Sequence, residues 1–232
     1  MADLLMPVRL AWRLARGGDR AVTAWLVLTR PAGLMQPDGV TVADRNPRLL
    51  RAIQAHSPDR ADLSLLSFGG SIGDEVFTLR RLYPTARITG IDISRARIAR
   101  CRERLPAAEA ARTRFVVANS AAGEGRACHD LVVANSVFRH HALDDGAVSS
   151  ARILPFARVE PVMNRLAATV KPGGLFALRH ANFRFEDMAA AAEFEPVIGL
   201  TRFAVKFGRD DRRLPDAPIE HCLFRRRAPA QG

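Results

Sequence analysis

The chain has 232 residues, 48% of them hydrophobic, with 35 Lys and Arg against 24 Asp and Glu. That length suits one large domain with a sizeable core, and no run reaches the roughly 18–20 apolar residues of a membrane span. The net charge of +11 invites an anionic partner such as nucleic acid. Every cation but Lys171 and Lys206 is arginine, however, and these are scattered except at Arg225-Arg226-Arg227, so charge alone does not carry that partner. Cys101, Cys128 and Cys222 form no Cys-x-x-Cys pair, which argues against a disulfide framework or a structural zinc site. Arg9, Arg13 and Arg16 interrupt the early apolar run, unlike a secretory signal, and a soluble cytoplasmic protein without a membrane partner is expected.

Leu4, Leu5, Val8, Ala11, Trp12 and Ala15 recur at helical spacing, and Gly17-Gly18 breaks the pattern before a second helical segment over 19–29. A Pro/Gly-rich passage at 31–39 turns the chain. Asn46-Pro47 opens a third helix through Ala55, with proline suited to a first turn. Residues 1–60 therefore form an N-terminal helical extension, expected to pack on a main domain of residues 61–232 and to cover its pocket.

From Leu63 strands alternate with helices. Strands are predicted over 63–68, 87–92, 114–118, 131–134 and 175–179, with late strands over 201–207 and 219–224. Helices are predicted through Tyr83, over 95–105 and within 154–170, where Pro161 blurs the start. Lys171-Pro172-Gly173-Gly174 reads as a sharp turn into strand five. Such alternation implies a parallel sheet with helices on both faces.

The chemistry gathers at the first strand-to-helix turn, where Gly69, Gly70, Ser71 and Gly73 precede Asp74-Glu75. Gly69 and Gly73 permit a tight turn and close approach of a ligand. Asp92, at the end of the next strand, stands at the spacing of a carboxylate that accepts hydrogen bonds from a ribose hydroxyl. Ser71 replaces the second glycine of a dinucleotide fingerprint, and two acidic residues follow at once. That suits a cationic ligand better than a pyrophosphate, and S-adenosyl-L-methionine carries a sulfonium and an ammonium but no phosphate.

The segment from Ser67 to Glu75 resembles the first motif of class I S-adenosylmethionine-dependent methyltransferases, especially the CheR-type (chemotaxis-receptor) enzymes. Gly90-Ile91-Asp92-Ile93, Phe115-Val116-Val117-Ala118-Asn119, Asp130-Leu131-Val132-Val133-Ala134-Asn135 and the Lys-Pro-Gly-Gly turn keep the order and spacing of that family. The resemblance implies a Rossmann-like α/β fold, with a mostly parallel seven-stranded sheet, and S-adenosylmethionine as cofactor. It places Gly69, Gly70, Ser71 and Gly73 around the methionine-side loop, Glu75 on the ligand's ammonium, Asp92 on the ribose and Ile93 against adenine. Asn119, Ser120 and Asn135 would contact the nucleoside or methionine portion. Gly70 and Ile72 depart from the receptor enzymes' cysteine and threonine, Arg139-His140-His141 replaces their apolar continuation, and receptor methylation does not follow.

His140 and His141 follow strand four and His180 follows strand five, on the ligand side of such a sheet, so these three are the candidate catalytic bases. The long connection over 139–154 is expected to line the acceptor site. A metal site from His140, His141, Asp144 and Asp145 is conceivable, but one short loop of solvated turn residues is the plainer reading, and no metal is assigned. The leading expectation is a methyltransferase acting on an oxygen, nitrogen or carboxylate of a small molecule. The alternatives are an RNA or protein carboxyl methyltransferase, or a non-catalytic S-adenosylmethionine-binding protein.

Overall fold

Parallel strands buried on both faces need apolar residues at nearly every position, and the central segments here supply them. The computed structural model describes residues 6–144 and 146–228; Leu4, Leu5 and Asp145 lie outside the described residues. Seven strands, β1 (Ser64–Phe68), β2 (Arg87–Asp92), β3 (Thr113–Val117), β4 (His129–Asn135), β5 (Val170–Arg179), β6 (Phe194–Thr201) and β7 (Ile219–Arg226), form one sheet in the order β3-β2-β1-β4-β5-β7-β6. The first five pair in parallel, and β7 runs antiparallel to both β5 and β6.

Successive β4 side chains feed opposite cores, as the period of two demands. Leu131 and Val133 join Leu65, Ile88 and Leu175 beneath α3 (Pro47–His56), α4 (Asp74–Leu82) and α5 (Arg95–Arg104). Val132 and Ala134 join Leu66, Phe176 and Leu178 on the other face, with α6 (Phe156–Thr169) and the phenylalanines Phe183, Phe185 and Phe207. Leu49 and Ile53 of α3 are fully buried in the first of these cores. Ahead of them α1 (Met6–Arg16) and α2 (Gly18–Thr29) are parted only at Gly17, which has positive φ, as does Gly18 at the start of α2.

Three elements differ from the sequence expectation. The strand expected over 201–207 is not there: β6 occupies Phe194–Thr201, and the following segment is irregular. β6 is an edge strand, where Pro196 is tolerated, and its register shifts around Ile198. Lys171 to Gly174 does not precede β5 but bulges within it, since Val170 already pairs with His129 before Leu175 pairs with Leu131. Pro161 lies inside α6 rather than marking its start, on the exposed side.

Arg80 explains how an all-apolar face carries a buried cation. Its guanidinium donates to the carbonyls of Tyr83, Pro84, Ala86 and Arg112 and to Thr113 Oγ1 at 2.8–3.2 Å, tying the end of α4 to the starts of β2 and β3. Arg80→Met leaves those carbonyls unpaired and should cost about 3 kcal/mol, the scale of breaking a buried charged network. Arg80→Lys, without the planar fork, should recover less than half of it. Urea unfolding of the three proteins checks both expectations.

Candidate active site

Helices α4 and α6 leave neighbouring strands for opposite faces, so a crevice opens beyond the carboxyl ends of β1 and β4. Gly69 turns the chain out of β1 at φ +73°, and a Cβ there would lie 2.5 Å from Val137 Cγ2. Ser71, also at positive φ, donates its N–H to Asp92 Oδ2 at 2.9 Å, while Ser94 N–H reaches Asp92 Oδ1 at 2.8 Å. Asp92 is thus held rigidly at the tip of β2 with acceptor capacity to spare on both oxygens. Burial pushes its carboxyl above the usual range, against the two N–H groups and Arg97.

Glu75, in the first turn of α4, is the second carboxylate of the crevice and is half-buried. It accepts from Ser67 Oγ at 2.7 Å and Asn135 Nδ2 at 2.5 Å, and burial raises its pKa in spite of both hydrogen bonds and nearby Arg45. Asn135 Oδ1 is buried beside it with no partner among the described residues. A desolvated carboxylate next to an orphaned amide oxygen is a place where an ammonium group is welcome.

The crevice has two halves meeting at Gly69 and Ser71. One contains Glu75, Asn135, Gly70 and Arg45, the other Asp92, Ile93, Ala118 and Asn119. Residues 31–45, without regular structure, lie across both. Asn119 Nδ2 donates to Ala32 O, Arg97 Nη2 to Pro37 O and Ser71 Oγ to Gly39 O, while Gln36 Nε2 reaches Ser136 O. Gly73 and Ser120 are not among the lining residues. Gly73 precedes α4 at φ +93°, where a Cβ would collide with Phe77 and Cys101, and Ser120 Oγ accepts from Ala122 N within its own loop.

Residues 66–176 match the family described as a methyltransferase domain. Trans-aconitate 2-methyltransferase of Paracidovorax citrulli (strain AAC00-1) is 31% identical over 168 residues, which are 67% of this chain and 56% of that protein, so the chain spans little more than half of that relative's length. Among solved structures, StiE O-MT residues 961–1257 superpose with a TM-score of 0.51 at 14% identity, covering 79% of this chain and 75% of that one. This is the Rossmann-like class I methyltransferase fold.

Within this methyltransferase fold the three candidate histidines do not converge. His140 and His141 stack at 5.0 Å on the outer side of residues 31–38, where His141 Nδ1 meets Asp38 at 2.7 Å. Asp144, the third member of the conceivable metal set, is paired with Arg139. His180 sits behind Ser136, in a left-handed backbone conformation and against Phe203. Among the described residues one other set of metal-ligand types is close together, Glu124, Cys128 and His129, at the opposite end of β4. There Arg114 grips both Glu124 oxygens at 2.7 Å, and His129 bridges Glu124 and Ser64.

Sequence reasoning missed Gln36, Arg45, Arg97 and Ser136. Arg97 alone carried a signal, an arginine on the apolar face of α5; it pairs with Asp19 at 2.9 Å and is almost wholly buried. No local pattern marks the others.

Burial, then the cations Arg179, Arg45, Arg139 and Lys206, push the His180 imidazole down from 6.5 to about 4. Since Ser136 Oγ accepts from Arg45 at 3.1 Å, its hydroxyl hydrogen is free to donate to His180 Nδ1, which fixes a neutral ring. Such a ring is a poor base at neutral pH. The depressed pKa means that the unfolded chain binds a proton the folded chain refuses. Stability is therefore complete above pH 6.5 and falls as pH drops toward 4, by about 3 kcal/mol in all. His180→Gln should flatten that slope in urea midpoints taken from pH 7 to 4, and an unchanged slope would assign the acid sensitivity elsewhere.

Proposed function

We propose that the chain is an S-adenosylmethionine-dependent methyltransferase acting on a small molecule. The observation that carries this reading is the pair of desolvated carboxylates, Glu75 and Asp92, at the two ends of one crevice with glycine between them. Their separation by the β1 turn suits a ligand with an ammonium at one end and a ribose at the other. The likeness of Ser67–Glu75 to the CheR-type first motif supports Glu75 as the ammonium partner. Ile93 and Ala118 offer apolar contact to the base, and Asn119 and Asn135 offer polar contacts on either side.

Bound there, S-adenosylmethionine supplies a methyl on a sulfonium, and an acceptor nucleophile that takes it leaves S-adenosylhomocysteine. The residues of the chain bind, orient and exclude water, and much of the rate can come from alignment alone. No general base need be assigned unless the acceptor loses a proton. Residues 31–45 serve as a cover for the crevice, consistent with the hydrogen bonds made by Ala32, Gln36, Pro37 and Gly39. The relative named for trans-aconitate supports a small-molecule acceptor. A nucleic-acid acceptor is less well supported, because Arg80, Arg97, Arg114, Arg179 and Arg226 are all engaged within the fold. No described helix is long and apolar enough to cross a membrane.

Asp92→Asn should weaken S-adenosylhomocysteine binding by about 1.5–3 kcal/mol, the worth of a hydrogen bond to a charged group. Ser120→Ala, outside the crevice, should leave it unchanged. Calorimetry against S-adenosylhomocysteine, NAD and ATP tests the cofactor itself; tighter binding of either nucleotide would overturn the assignment.

A further inference from the structure

Both tryptophans of the chain stand on the α1–α2 hairpin, Trp12 exposed to 50% and Trp25 to 60%. Tryptophan is highly buried on average, so two such rings on one hairpin call for an explanation. Each has an exposed aliphatic neighbour one turn away on its own helix, Val8 beside Trp12 and Leu28 beside Trp25. Other sides of the two helices face the protein. Leu10 of α1 and Leu26 of α2 are buried, and α2 is fastened through Asp19 and Thr23 to Arg97 of α5.

The hairpin is also of one sign. Residues 6–37 hold Arg9, Arg13, Arg16, Arg20 and Arg30 against a single carboxylate, Asp19, which Arg97 already engages at 2.9 Å. Arg9, Arg13 and Arg16 recur at the spacing of one helical stripe. Arg16 lies over the Trp12 ring at 4.1 Å. Arg16, Arg20 and Arg30 are all exposed, and none has a carboxylate partner among the described residues.

Rings, aliphatic side chains and unpaired guanidinium groups together narrow the kind of partner. A second copy of the chain would bring the same positive charge against itself. A nucleic acid would answer the charge and could stack on the rings, but Val8 and Leu28 would gain nothing from it. An anionic lipid surface answers both features. Its headgroups meet the arginines, and its interfacial zone takes amphipathic indole rings with apolar side chains beside them. The expectation of a chain without a membrane partner concerned spans and signals, whereas a helix need not cross a bilayer to lie on it.

We propose that the α1–α2 hairpin docks this protein on an anionic lipid surface, through Val8, Trp12, Trp25 and Leu28 with Arg16 and Arg20 beside them. The hairpin leads through Arg30 into the cover of the crevice, and Arg97 grips both Asp19 of α2 and the carbonyl of Pro37. Docking therefore sets that cover close to the lipid. The inference does not rest on the methyl-transfer reading.

The two tryptophans are themselves the reporters. The full chain, mixed with vesicles of phosphatidylglycerol and phosphatidylcholine, should sediment with them and shift its tryptophan emission to the blue. Pure phosphatidylcholine vesicles should do far less, and added salt should weaken the binding. Trp12→Phe and Trp25→Phe each leave one reporter, and both proteins should show the shift. Arg16→Gln and Arg20→Gln should each weaken vesicle binding about fivefold, as should Trp12→Ser and Trp25→Ser at least. Val148→Ser, at an exposed apolar position outside the hairpin, should change nothing. Unchanged urea midpoints in these surface variants separate lost docking from lost folding. Failure to sediment with anionic vesicles overturns the proposal, as does a shift in only one of the single-tryptophan proteins. A shift that instead follows protein concentration without lipid, or mixed-sequence RNA but not vesicles, overturns it in favour of a second copy or a nucleic acid.

Discussion

The hydrogen-bonded pairing of β1 with β2 on one side and β4 on the other is the constraint on which the rest depends. It sends α4 and α6 to opposite faces of the sheet, so neither helix can close over the strand tips between them. The sheet's own contributions to the crevice stand at or within a few positions of such a tip: Gly69, Gly70, Ser71 and Glu75 after β1, Asp92 and Ile93 at the end of β2, Asn119 after β3, Asn135 and Ser136 at the end of β4. Gly69 lines both halves of the crevice, and any side chain there would collide with Val137.

Charge in this molecule is largely internal architecture. Arginine is suited to the task because one planar group can satisfy several carbonyls at once, as Arg80 does at the end of α4. Arg97 does the same between α2, the 31–45 segment and α5, with Asp19, Thr23 and Pro37 as its partners. The basic composition therefore reflects how turns and helix ends are fastened together.

This explains how much was legible beforehand. β2 was readable to the residue, and β1, β3 and α5 to within one position at an end, because buried parallel strands and amphipathic helices leave local patterns. β6 was misplaced because an edge strand tolerates Pro196 and a bulge, and no local pattern distinguishes that from a loop. In the site, the glycine turn and the two acidic residues were legible from motif spacing. Gln36, Arg45 and Ser136 were not, because they meet only through contacts spanning about a hundred positions. His140 and His141 follow the carboxyl end of β4, yet topology could not tell that residues 31–38 would stand between them and the crevice.

The antiparallel strand β7 has a consequence for how far the molecule can be divided. It covers β5 along Leu175, Phe176 and Ala177, and its Cys222 and Leu223 share a core with Leu49 and Ile53 of α3. The chain thus closes on itself, with a segment from near one end and a segment from near the other meeting over the central strands. The stretch that carries the family likeness, 66–176, contains neither of them. Cut out alone, it would present β5 as a bare apolar edge ready to pair with another copy. The matched stretch therefore lacks the strand that covers its own edge.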